Sequence, residues 1–124
     1  VLGICLGMQL LFESTYETAP PSVGMKLFEG VADRLSSRRF HIGWNSVKFI
    51  DDRFESYDSH YFYFNHGYRI FPKFEDSVVG FSNLSALELL PTVVAKGNIF
   101  GFQFHPEKSQ LVGKNLLNDT ILEF

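Results

Sequence analysis

An α/β domain, arranged in three layers and carrying an antiparallel extension, is the fold class that this sequence predicts. Three observations lead there. An apolar, β-prone opening run passes through a glycine-flanked cysteine into a helical segment; short aromatic and β-branched runs separated by turn residues follow; and an amphipathic segment closes the chain. So few helices do not cover both faces of a parallel sheet, so the reading expects further sequence outside these 124 residues.

Residues 1–4 read as a strand, and Met8-Gln9-Leu10-Leu11-Phe12 as a helix that begins near Leu6. Thr18-Ala19-Pro20-Pro21-Ser22 is a loop, because proline lacks an amide hydrogen and restricts the residue before it. Gly24 and Gly30 bracket a short Met25-Lys26-Leu27-Phe28 segment. Residues 45–50, 60–64 and 77–81 read as strands. Residues 91–95 and 98–104 flank Lys96-Gly97 and predict a hairpin. The last segment predicts a helix with Ser109 as N-cap and Leu117, Ile121 and Phe124 on one apolar face. No repeat or linker divides the chain, so residues 1–124 read as one continuous domain.

Composition narrows the function. The chain is 45% hydrophobic and 16% aromatic with a net charge of −3, which excludes a disordered segment and allows a sizeable core. No apolar run reaches the ~18 residues of a membrane helix, and no basic start precedes a signal-like stretch, so no membrane partner is expected. The slightly acidic balance argues against nucleic acid. A single cysteine makes no internal disulfide, which excludes a stapled secreted scaffold and points to the reducing cytoplasm. One cysteine and scattered histidines give no zinc spacing, and neither metal nor cofactor is expected.

Gly3-Ile4-Cys5-Leu6-Gly7 has the small-x-nucleophile-x-small spacing of a nucleophile elbow. A sharp strand-to-helix turn strains its middle residue and crowds the neighbours two places away, so side chains there must be nearly absent. The thiol then lies at a helix N-terminus, where amides and the helix dipole favour the thiolate, and the Leu6 amide points at the oxygen of an attacked carbonyl. A lone cysteine among apolar residues is equally compatible with a small buried hydrophobe. At the far end of the chain, Phe100-Gly101-Phe102-Gln103-Phe104-His105-Pro106-Glu107 alternates as a strand and stops at proline. His105 thus sits at a strand end, with Glu107 in a loop that can turn back to orient its ring. The alternative is a satisfied structural histidine, which also applies to His41, His60 and His66.

Taken together, Gly-Ile-Cys-Leu-Gly-Met-Gln-Leu-Leu-Phe at 3–12 and Gly-Phe-Gln-Phe-His-Pro-Glu-Lys-Ser-Gln at 101–110 resemble the class I (triad) glutamine amidotransferases. His41-Ile42-Gly43-Trp44-Asn45 and Tyr61-Phe62-Tyr63-Phe64-Asn65-His66-Gly67-Tyr68 are similar to motifs of the glutaminase subunits of imidazole glycerol phosphate synthases. The resemblance implies a flavodoxin-like three-layer domain. On matching positions, it implies Cys5 as nucleophile, His105 as acid/base and Glu107 as the group orienting it. Leu6, Gln9, Glu17, His66, Gly67 and Tyr68 match substrate-binding positions, the substrate being L-glutamine. Trp44, Asn45, Tyr63 and Lys108 match positions facing a (βα)8-barrel synthase, the other half of a heterodimer in histidine biosynthesis. Core packing for Trp44 and Tyr63, and a solvated charge for Lys108, remain open alternatives.

Two departures accompany the match. The family has His-Ser-Tyr or His-Thr-Tyr where this chain has His66-Gly67-Tyr68, a change also compatible with a related subunit that serves a synthase amidating bacterial surface sugars. The family also has an N-terminal segment before the elbow, with the first strands and a glycine-containing loop holding the second oxyanion donor. The expectation is therefore an N-terminally truncated domain that is not active alone. A stand-alone cysteine hydrolase acting on γ-glutamyl bonds, and a binding module that forms no thioester, are the competing readings.

Overall fold

The computed structural model describes residues 1–36 and 40–124. Among them the strands are β1 (Leu2–Ile4), β2 (Ser14–Thr15), β3 (Ser22–Val23), β4 (Gly30–Arg34), β5 (His41–Ser46), β6 (Lys48–Phe49), β7 (Tyr61–His66), β8 (Tyr68–Pro72), β9 (Val78–Ser85), β10 (Glu88–Lys96) and β11 (Ile99–Phe102). The helices are α1 (Leu6–Gln9) and α2 (Gln110–Leu122), with short 3-10 turns at Asp52–Tyr57, Glu75–Ser77 and Pro106–Lys108.

A five-stranded sheet of order β1-β11-β10-β9-β6 forms the middle layer. The expected hairpin is β10–β11, closed at Lys96↔Ile99 with Gly97 at φ +60° in the turn. β1 joins β11 in parallel, Gly3 opposite Gly101. That one pairing brings the two ends of the chain together, so the residue after β1 and the residues after β11 emerge at the same sheet end. Alternation along the strands sends Val79, Val93, Phe100 and Phe102 into one core and Val78 and Val94 into the other.

The first core is covered by the two-stranded β5–β7 ribbon, the 52–57 turn and α2. It is dominated by aromatic contacts, including Phe62–Phe104 at 4.4 Å and Phe102–Phe104 at 5.1 Å between ring centroids. The Tyr57 hydroxyl donates to the Asp119 carboxylate and ties the 52–57 turn to α2. The second core is covered by α1 together with a four-stranded sheet, β3-β2-β4-β8, through Met8, Leu11, Phe12, Phe28, Ala32 and Ile70. The mixed α/β class holds, and among the described residues a second sheet shares the covering of one face with α1.

Several elements differ from the sequence expectation. The helix near 8–12 is a single turn over Leu6–Gln9, and Leu11 and Phe12 leave it while staying fully buried. The 45–50 strand divides at Val47, where the chain passes from the ribbon to the central sheet. β4 and β8 were not legible, because Asp33-Arg34 and Arg69 interrupt their alternation; pairing with each other stabilises both. In α2 the buried stripe is Gly113, Leu116 and Thr120; of the expected face Leu117 is half-buried, Ile121 is 66% exposed, and Phe124, beyond the helix end, packs on the Phe54 ring with centroids 5.1 Å apart. Close approach decides this face: a Cβ on Gly113 would lie 2.0 Å from the Pro106 carbonyl oxygen. Thr120 is tolerated there because its hydroxyl donates to the Leu116 carbonyl at 2.7 Å. Ser109 flanks α2 without capping it; its hydroxyl donates to the His105 carbonyl at 2.6 Å and accepts from the Tyr63 amide at 2.9 Å.

Candidate active site

The elbow forms. Cys5 lies between β1 and α1 with φ +55° and ψ −111°, outside the regions that an L-residue adopts freely. Its amide donates to the Phe102 carbonyl at 2.7 Å, so β11 holds the strained residue in place. Gly3 is required: a Cβ there would stand 2.5 Å from the Gly7 carbonyl oxygen. Gly7 is different: among the described residues nothing outside its own turn lies within 4 Å of a Cβ built on it.

The Cys5 sulfur, half-buried, donates to the Asn65 carbonyl and accepts from Gln103 Nε2, both at 3.8 Å. Contrary to the expected thiolate, burial pushes the thiol pKa up, the Leu6 and Gln103 N–H groups pull it down, and the carboxylates of Glu17 and Glu107 raise it further. The physical reason is desolvation, against which α1 offers little. One turn of four residues aligns few peptide dipoles, too few to outweigh desolvation.

His105 sits just beyond β11, where its amide donates to the Tyr63 carbonyl at 2.8 Å and its carbonyl accepts from the Ser109 hydroxyl. Pro106 turns the chain, and the Glu107 carboxylate returns to within 2.9 Å of His105 Nδ1, the orienting contact that the sequence predicts. No hydrogen bond joins His105 to Cys5 among the described residues; the sulfur's partners are Asn65 and Gln103.

Gln9 is fully buried. Its Oε1 accepts from the Thr15 hydroxyl at 3.1 Å, which orients the amide, and its Nε2 has no partner among the described residues. Glu17 follows on the surface, its amide donating to Thr15 Oγ1 at 3.2 Å and burial raising its carboxyl pKa. His66 is buried and ends β7; Gly67 is the single residue between β7 and β8, where the chain changes sheets; Tyr68 begins β8. A Cβ on Gly67 would lie 2.8 Å from the Phe40 ring, which occupies the space that a larger residue would need.

On the ribbon, Trp44 and Tyr63 are cross-strand partners packed edge to face at 5.9 Å, with Trp44 49% exposed, so Trp44 is not a core aromatic. Lys108 is exposed, in the 3-10 turn that follows His105. Asn45 points to the opposite ribbon face, its amide donating to the Asn83 carbonyl at 2.8 Å and meeting His41 Nε2 at 3.1 Å. A surface cavity of about 540 Å³, lined by Lys26, Phe28, Phe74 and Lys96 among others, includes none of these residues. Among the described residues no group of three or more His, Cys, Asp or Glu side chains could hold a metal ion. No helix is long and apolar enough to cross a membrane.

Thr15 and Gln103 are neighbours of the site to which sequence reading gave no role; His41, read within a matched motif and as a satisfied structural histidine, is buried and hydrogen-bonded. Gln103 carried a signal, a polar residue inside an apolar alternation. Thr15 carried none, because its partner comes from another element.

The family model for class I glutamine amidotransferases matches residues 1–124. The chain is 47% identical over 122 residues to the imidazole glycerol phosphate synthase subunit HisH of Thermotoga maritima, covering 98% of this chain and 57% of that protein. The HisH subunits of Methanopyrus kandleri (43% over 125 residues) and Bacillus subtilis (39% over 127) are similar across 98% and 94% of the chain. The chain spans 60% and 58% of the length of those two relatives. Among solved structures, PurLQS from Thermotoga maritima superposes with a TM-score of 0.69 at 21% identity, covering 97% of this chain and 59% of that one. A glutamine amidotransferase from the same organism gives 0.61 at 21% identity, over 98% and 47%; at such identities the likeness concerns the fold. With a family model matched from end to end and the elbow and histidine–glutamate pair in place, this chain belongs to the class I glutamine amidotransferases.

Proposed function

We propose that the protein containing these residues hydrolyses L-glutamine through a thioester on Cys5 and delivers the ammonia to the synthase subunit of an imidazole glycerol phosphate synthase, in histidine biosynthesis. One observation carries the reading: the parallel β1–β11 pair holds the strained Cys5 and the His105–Glu107 pair at the same end of one sheet.

The steps follow from these groups. His105 Nε2 takes the thiol proton as Sγ attacks the carboxamide carbon. Developing charge on the oxygen meets the Leu6 amide. The C–N bond breaks as the imidazolium returns its proton to nitrogen, and ammonia leaves. Water, deprotonated by His105, then attacks the thioester; the C–S bond breaks, glutamate is released, and the imidazolium returns its proton to the departing sulfur. Because burial raises the thiol pKa, proton transfer to His105 accompanies attack, and contacts of this kind tighten when substrate is held. The unpartnered Gln9 Nε2 supports a substrate-binding donor, since a buried N–H without an acceptor is costly until one arrives. Glu17, His66, Gly67 and Tyr68 would complete that site. The exposed Trp44, packed on the half-buried Tyr63, supports a docking surface for the synthase, to which Lys108 would contribute and across which ammonia would pass without meeting water; Asn45 would act from behind it.

The test uses the full-length protein with its synthase. Cys5→Ala should abolish glutamate release while leaving synthase binding intact. Glutamate release that persists in this variant would sink the mechanism.

A further inference from the structure

His41 on β5 and His66 at the end of β7 are cross-strand partners, both buried. Three short contacts link them into a chain: Asn45 Nδ2 to His41 Nε2 at 3.1 Å, His41 Nδ1 to His66 Nε2 at 2.9 Å, and His66 Nδ1 to the Tyr68 carbonyl at 2.6 Å. Chemistry determines each proton. A carbonyl only accepts, so His66 Nδ1 carries hydrogen and its Nε2, in the neutral ring, accepts. His41 Nδ1 must then donate, leaving His41 Nε2 to accept from the Asn45 amide. The other hydrogen of that amide goes to the Asn83 carbonyl at 2.8 Å, which fixes its orientation independently. One direction alone satisfies every partner, and the His41 ring is stacked on Phe64 with centroids 4.3 Å apart.

We propose that His41 is a positioning residue: through this directed relay it holds the Asn65-His66-Gly67-Tyr68 segment against the Cys5 thiol and links that segment to the strand bearing Trp44. The segment borders the sulfur through the Asn65 carbonyl, and it is where the chain leaves the ribbon for another sheet at a glycine with no side chain to pack. Burial holds both imidazoles below their ordinary pKa, which keeps the rings neutral and the relay intact. Loss of the His41 donor leaves His66 Nε2 buried and unpaired, and the segment relaxes to find another partner. The turnover part of this inference rests on the proposed glutaminase activity; the relay itself does not.

The experiment takes the full-length protein with its synthase and compares wild type, His41→Phe, which keeps the stack on Phe64, and His41→Asn, whose amide N–H lies near the position of Nδ1. Imidazole 15N shifts, the rate of Cys5 alkylation by iodoacetamide, and kcat and KM for glutamine are read. Wild type should show His66 as the Nδ1–H tautomer. His41→Phe should change the alkylation rate and lower kcat, each roughly tenfold, with KM nearly unchanged, and His41→Asn should recover both to within about threefold of wild type. Should His41→Phe fail to fold, His41→Leu replaces it and the wild-type tautomer still judges the relay. His66 found as the Nε2–H tautomer, alkylation and kcat within about twofold of wild type in His41→Phe, or equal losses in the Phe and Asn variants would each overturn the proposal. A wild-type protein that releases no glutamate, yet whose Cys5 alkylation follows the relay, would overturn the proposed function and leave the positioning role standing.

Discussion

At Cys5 a backbone conformation costing roughly 1–3 kcal/mol is held by a hydrogen bond to Phe102 and by a glycine two residues earlier. Both glycines of the motif were read as crowded, yet only Gly3 is; the collision is between its missing Cβ and the Gly7 backbone, a fact of the folded turn that spacing does not reveal. The pKa of the thiol was likewise misjudged from sequence, because helix length and burial are properties of packing. His105 and Glu107, by contrast, were legible: proline after a strand leaves little choice of where a residue two places on can reach. In the proposed mechanism, replacing that carboxylate by an amide would remove the charge facing the imidazolium at Nδ1. Glu107→Gln in the full-length protein should therefore lower kcat by about 10²-fold with KM for glutamine changed far less, as steady-state glutamate release will show.

Elements were legible where pattern and partner agree. The β10–β11 hairpin needed only its own alternation and Gly97, whereas β4 and β8 exist because they pair with each other, and α2 turns a face that its hydrophobic periodicity does not favour. The α2 result has a direct consequence. Leu116 is fully buried in the aromatic core and Ile121 largely in solvent. Leu116→Ala should destabilise the full-length protein by about 2–5 kcal/mol through lost burial and a cavity, while Ile121→Ala should stay within about 0.5 kcal/mol of wild type. Urea unfolding of the two variants side by side will check the assignment of faces. The reverse order would mean that α2 buries its Leu117–Ile121 side instead.

For the molecule as a whole, the buried histidine pair makes stability depend on pH. Burial lowers the His66 pKa to about 4 and lowers that of His41 as well, against an ordinary value of 6.5. Between these values the unfolded chain binds more protons than the folded one, so stability rises with pH through this window. It is fully present above about 6.5 and is lost as pH falls toward 4, a change on the order of 3 kcal/mol for His66. Chemical unfolding of the full-length protein between pH 4 and 7 should show the decline, and replacement of both histidines should flatten it. The sequence by itself determined the α/β class, the elbow at Cys5 and the His105–Glu107 pair, because each depends on short-range stereochemistry: glycine where a turn is crowded, proline where a strand must stop. Only the tertiary structure decided that a second sheet covers one face of the central one, that Gln103 and Asn65 hydrogen-bond the sulfur, and that His41 bonds His66. Those contacts join residues up to 98 positions apart, and no local pattern records a partner supplied by strand pairing.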